Sequence, residues 1–403
     1  MKRIHFFRSV AIAAVLVIPF RLHAGDIPSS PTVVMYNQAL STSNQPSDII
    51  LPEGASYTAE GLRVTQPEGL VKLDRYYSLA ERSVRYVARF SGDAMAVFTS
   101  DTKDFTAYVD MEGRKFGIRL PNGFRNYVNR EKAAEFLETG HDYLVEITRD
   151  YSTMTACLTD LYSGDEVLLT ATNDGAGGAG PGVVNSGVRV GLLHDYYCFG
   201  LEKGAEMLVR QMSVIAGQCD YTLLIYGDSI TEPDDYYPAA IFDQSWVRLI
   251  IDHVKGKAAA SGRGGTQIAQ IISRIKNELP YVKAKYVMVT IGTNDGNTEE
   301  NLSELVEYIL SQGSIPILNN IPSNEHNSQV EVNAQIEKIR KKYGLKGCRF
   351  DIPTSLAHDG KEVDESTMWV EEYRFGSYRH HPNVKGARLM FLQSLLDVPE
   401  IYE

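Results

Sequence analysis

The chain has 403 residues, 43% of them hydrophobic, enough for two or three domains with cores of ordinary size. A formal net charge of -11, with no stripe of clustered Lys and Arg, excludes nucleic acid as a partner and weighs against a polyanionic substrate held by bulk charge.

In chain order, Lys2, Arg3 and Arg8 lead into an apolar run from Val10 to Phe20 and a small residue at Ala24. This is the layout of a cleaved secretory signal over residues 1–24. The run is about half the roughly 20 residues that a spanning helix needs, so no stable membrane insertion is expected after cleavage. The mature protein is expected to be secreted or periplasmic. Residues 25–218 then alternate short apolar-polar segments with turn residues, as antiparallel strands do. Examples are Val84 to Phe90, Ala94 to Thr99, Phe105 to Asp110, Tyr143 to Thr148, Met154 to Leu161 and Val209 to Ala216, with a glycine-rich break from Gly175 to Gly182. The expectation is an all-β sandwich serving as a carbohydrate-binding or accessory domain.

From residue 219 to 403 the texture changes. Apolar runs at Thr222 to Tyr226, Tyr286 to Thr290, Ile315 to Leu318 and Cys348 to Phe350 read as buried parallel strands. Helical patterns lie among and after them at Gln244 to Val254, Thr266 to Asn277, Glu299 to Gln312, Val330 to Tyr343 and Gly386 to Leu396. That alternation predicts an α/β layer fold, joined to the sandwich near Gly217 to Asp220 by a packed interface rather than a linker. The cysteines, Cys157, Cys198, Cys219 and Cys348, form no CxxC pair and have no histidine at metal-ligand spacing, so no zinc site is expected. Export permits disulfides, with Cys157 and Cys198 one candidate pair and buried free thiols the alternative.

Four segments carry candidate chemistry. Ser229, in Gly227-Asp228-Ser229, follows an apolar strand directly, where open α/β sheets place ligands. It is not the Gly-x-Ser-x-Gly elbow, because Thr231 stands at plus two. Ser261-Gly262-Arg263-Gly264-Gly265-Thr266 opens a helix and exposes backbone N–H groups able to hold an oxyanion, unless it is an ordinary strand-to-helix turn. It has neither the Walker spacing nor the dinucleotide fingerprint. Gly292-Thr293-Asn294-Asp295 ends another buried strand, and the Asn294 amide is either a helix cap or a donor, the latter contributing about 3 to 4 kcal/mol to acyl transfer. His380-His381-Pro382-Asn383 precedes the last helix, and either imidazole could take the proton that a serine must lose to attack.

Together, and in this order, these segments resemble the SGNH branch of the GDSL hydrolases over Asp220 to the C-terminus, about 45% of the chain. The resemblance implies a flavodoxin-like, three-layer α/β domain. It implies Ser229 as nucleophile, and an oxyanion hole built from the N–H groups of Ser229 and Gly264, with Gly262 the alternative, and the Asn294 amide. It implies His381, before Pro382, as base, and no metal or organic cofactor. The strand order before it resembles a laminin-G or concanavalin-type jelly roll.

The chain departs from the family at one position. The Asp expected three residues before the histidine is replaced by Tyr378 for His381, or Ser377 for His380. A Ser–His dyad, an acid from elsewhere, or an inactive descendant would each account for this. Candidate acids or supports are Asp228, Asp359, Asp364, Glu371 and Glu372. Some carbohydrate esterases of this fold work with a dyad and carry an N-terminal jelly roll, so the expected partner is an acylated, most simply acetylated, carbohydrate. A lipid or thioester acylhydrolase and a non-catalytic glycan-binding protein are the rivals. His380, Tyr378 and Trp369, with Tyr236, Tyr237, Tyr373 and His326 near the same edge, are candidate substrate contacts, because sugar rings stack on aromatic faces.

Overall fold

The computed structural model describes residues 33–102, 105–122, 126–151, 153–172, 195–232, 241–368 and 380–403. The expected signal segment and the glycine-rich break at 175–182 lie outside them. Pro31–Glu403 forms one compact unit.

Two antiparallel sheets fill the first half. One has the order Glu166–Thr172, Thr153–Asp160, Tyr143–Asp150, Glu81–Phe90, Met207–Ala216, Leu62–Val64, Ala55–Tyr57, with Val33–Ala39 also pairing on Met207–Ala216. The other runs Asn126–Ala133, Lys115–Asn122, Thr106–Asp110, Met95–Ser100, Asp195–Lys203, Leu70–Tyr77, Ile49–Ile50. In Glu81–Phe90 every second residue is buried, and the register keeps that face in line: Tyr86 stands opposite Val145 on one side and Met212 on the other. Tyr86 then meets Phe98 of the second sheet with ring centroids 4.8 Å apart, which closes a sandwich. The expected strands are present, with ends shifted by a residue to three. All four cysteines are free.

The second half is built on a parallel sheet of β1 (Tyr221–Gly227), β2 (Ala258–Gly262), β3 (Ala284–Thr290) and β4 (Ile315–Leu318), in the order β2-β1-β3-β4. The helices are α1 (Trp246–His253), α2 (Ile268–Val282), α3 (Glu299–Ser311), α4 (Gln329–Tyr343), α5 (Glu365–Met368) and α6 (Val384–Asp397). Alternate residues of β1 serve opposite faces. Leu223 and Ile225 share a core with α1 and α6, whereas Leu224 and Tyr226 share one with α2, α3, α4 and the sandwich. Both faces are therefore covered, which is why these strands read as unbroken apolar runs.

Two expectations need correction. Cys348 to Phe350 is not a strand of this sheet. Its backbone still reaches the chain at and after β4, the Asn320 N–H donating to Cys348 O at 2.9 Å, but the Cys348 N–H goes to the Asn319 side chain (Oδ1, 2.8 Å), so only isolated bridges at Lys346 and Arg349 form. Helix α2 does not end at Asn277. It continues through Pro280 because Leu279 and Val282 extend its buried face, the proline falling in the last turn. Among the described residues no helix is long and apolar enough to cross a membrane.

Candidate active site

The order β2-β1-β3-β4 makes the gap between β1 and β3 the point where winding reverses, so residues just after those strands converge on one crevice. Ser229 follows β1 and Asn294 follows β3. Asp228 is buried and shapes the serine turn, Oδ1 accepting the Ile230 N–H at 3.0 Å. Trp246, fully buried on α1, holds the same turn by donating from Nε1 to Ile230 O at 2.8 Å. Gly227 has no room for a side chain, since a Cβ would run into the Thr231 side chain and approach Thr290 O at 2.7 Å.

His381 reaches this turn from the other end of the domain. Asn383 caps α6 by accepting the Gly386 N–H at 2.9 Å, and its own N–H donates to Thr367 O of α5 at 3.0 Å. Pinned by that cap, His381 lies with Nε2 2.9 Å from Ser229 Oγ, both residues 6% exposed. Burial, and secondarily the charge of His380, holds the His381 pKa well below its ordinary 6.5, so the imidazole is neutral at neutral pH and able to accept a proton. The His380 ring lies beside it, tilted by 44° with centroids 4.4 Å apart, and turns Nδ1 to Glu325 at 3.5 Å. Of the two histidines, His381 faces the serine. Glu325 also lies 3.5 Å from His326 Nε2 at the rim.

The oxyanion donors fall out differently from expectation. The Gly264 N–H already donates to the fully buried Glu232 carboxylate, which also lies 4.0 Å from Arg263. Gly264 is thus clasped to the serine turn rather than open to a ligand. Its neighbour Gly262 is packed against that turn so closely that a Cβ would lie 2.5 Å from Thr231 O. Asn294 donates from Nδ2 to Thr266 O at 3.1 Å, and an amide carries a second hydrogen for a ligand.

Of the candidate acids, Asp364 stands just before α5, with Oδ1 accepting from Ser366 N and Oγ at 2.9 and 2.7 Å and Oδ2 3.8 Å from Lys385, so it serves the helix start. Asp359 accepts the Lys361 N–H in a loop. Trp369, Glu371, Glu372, Tyr373, Ser377 and Tyr378 lie outside the described residues, as do Tyr236 and Tyr237. Among the described residues no group of His, Cys, Asp and Glu is arranged to hold a metal.

Sequence reasoning missed Glu232, Glu325, Arg274 and Glu278. The last two are wholly buried on α2 beneath the site, four residues apart inside the apolar stripe Ile271, Ile275, Leu279. Paired charges on an apolar helical face were the signal available.

Asp228 gives a pH prediction. Burial pushes its carboxyl up from 3.8 to about 6, against the opposing pull of the Ile230 N–H, Thr293 and Arg274. A raised folded-state pKa contributes stability that is full below about 3.8 and lost as pH rises through about 6. The variant Asp228→Asn is expected to lose that decline and to gain about 3 kcal/mol on the parent between pH 4 and 7, read by urea unfolding at both values.

No protein-family model matches the chain, and no curated protein sequence matches it. Solved structures do. A GDSL-like lipase from Bacteroides thetaiotaomicron is similar at 17% identity over 44% of this chain and 86% of its own, with a TM-score of 0.34. The VIP36 exoplasmic/lumenal domain in a calcium- and Man3GlcNAc-bound form is similar at 11% identity over 45% of this chain and 87% of its own, with a TM-score of 0.33.

Proposed function

We propose that this protein is an exported serine esterase of the SGNH type that removes a small acyl group, acetyl in the simplest case, from a carbohydrate. The observation that carries the reading is the 2.9 Å contact between His381 Nε2 and Ser229 Oγ at the carboxyl end of β1. Ser229 Oγ attacks the ester carbonyl while its proton passes to Nε2. The tetrahedral oxyanion is held by the Ser229 N–H and the free hydrogen of the Asn294 amide. The alcohol leaves with the proton from Nε2, and water, activated in turn by His381, releases the acid from the acyl-enzyme. The carbohydrate part rests on the resemblance to dyad esterases that carry a jelly roll, and on the sandwich ahead of this domain.

The test is to expose the full chain to a fluorophosphonate and to 4-nitrophenyl acetate, then to acetylated oligosaccharides. A covalent adduct confined to the Ser229 peptide, with release of nitrophenol and acetate, is expected. Absence of both adduct and turnover removes the esterase reading and leaves a glycan-binding protein.

A further inference from the structure

The β-sandwich does more than abut the α/β half. Its turn after Leu70–Tyr77 runs along β2, the edge strand of the parallel sheet, where the Ala80 N–H donates to Ala260 O at 2.8 Å. Within that turn the buried Ser78 hydroxyl donates to Gly262 O at 2.7 Å. The Glu278 carboxylate accepts from Ser78 N and Leu79 N with Oε1, at 2.7 and 2.9 Å, and from Ser261 Oγ with Oε2, at 2.9 Å. One helical turn earlier, Arg274 donates to Ser261 O at 3.1 Å and to Gly227 O at 2.9 Å.

We propose that the Ser78–Leu79 turn of the sandwich is a positioning element of the site, setting the glycine loop and, through Glu278 and Arg274, the strand end that carries Ser229. The proposal rests on Ser229 being the nucleophile. Its physical basis is the directionality of these bonds. An interface that only had to hold two halves together would be served as well by apolar contact, since replacing a buried ionic group with well-packed hydrophobic residues is commonly neutral or stabilising. Here a fully buried carboxylate is instead divided between two sandwich N–H groups and the residue before Gly262. Gly262 O is bonded to the sandwich, and the next N–H, from Arg263, donates to Gly227 O at 3.2 Å. A shift of Ser78 is therefore passed in two residues to the loop clasped by Glu232, and in one further bond to the residue two before Ser229. Displacements of the order of 1 Å at a reacting group can cost about 10²-fold in rate.

The experiment compares two full-length variants of the same interface. Ser78→Ala removes the bond to Gly262 O. Asn277→Ala removes a bond of the same kind, 3.1 Å from Asn277 Nδ2 to Tyr76 O, that does not touch the loop. With 4-nitrophenyl acetate, Ser78→Ala is expected to lower kcat about tenfold with KM little changed, and Asn277→Ala to leave kcat within about twofold at a comparable loss of unfolding midpoint. Equal kcat in the two variants, or a fall that tracks stability alone, overturns the proposal. Hydrogen exchange of the Ala258–Gly264 backbone gives a reading independent of turnover. Faster exchange in Ser78→Ala than in Asn277→Ala is expected, and equal exchange overturns the proposal even where the wild type hydrolyses esters. A wild type that neither hydrolyses nor takes the phosphonate defeats the nucleophile reading instead.

Discussion

Ser229→Ala is expected to lower kcat/KM for an activated ester on the order of 10⁴-fold or more, and His381→Ala by a comparable factor, with the double variant no worse than either. The non-additivity follows from the geometry. The 2.9 Å bond makes one device of the two side chains, and neither half moves the proton without the other. What survives in each variant is the part that needs no proton transfer, the donors at Ser229 N and Asn294. The pH profile adds a second signature. Because burial holds His381 well below 6.5, the acid limb of kcat/KM is expected to lie below that value, and activity to persist as pH falls through 6.5. Steady-state rates of the three variants, with the parent profile from pH 4 to 8, check both. A loss under about tenfold for Ser229→Ala would remove it as nucleophile, and additive losses would separate the two residues.

The strands of both halves were legible because burial follows period: two in Glu81–Phe90, with one face inward, and a continuous run in β1, with both faces covered. Cys348 to Phe350 has the same apolar texture, yet the Asn319 side chain takes the Cys348 N–H and leaves backbone pairing only in isolated bridges, and composition carries no trace of that interruption. At the site, Ser229 and Asn294 are readable because each follows a strand whose end is marked in the sequence, and His381 because it precedes a helix whose Asn383 cap is marked there. Gly264 shows the limit. A glycine loop announces exposed N–H groups, but what fills them depends on a buried carboxylate 32 residues away in sequence, contributed by the turn just after Ser229. Glu325 escaped for a similar reason, since it meets His380 only through folding of the loop after β4.

Arg274→Met is expected to destabilise the folded chain by about 3 kcal/mol or more and to reduce activity with it. The wild-type guanidinium is wholly buried and donates to Ser261 O at 3.1 Å, Gly227 O at 2.9 Å and Thr266 Oγ1 at 3.3 Å, with the Tyr76 ring 5.5 Å from its centre. Methionine fills much of the volume but takes a donor from the buried Ser261 O, at about 1 to 3 kcal/mol, leaves Gly227 O with the Arg263 N–H at 3.2 Å, and removes a cation one turn from the Glu278 carboxylate. Arg274→Lys is expected to recover less than half of the loss, because an ammonium is a point charge and cannot span Ser261 O and Gly227 O as a planar fork does. Urea unfolding of the two variants at pH 7 measures the difference. Recovery by lysine to the parent value would mean that charge alone matters at this position. Partial recovery, with kcat restored less than stability, would mean that the fork itself sets where β1 ends, and hence where Ser229 meets His381.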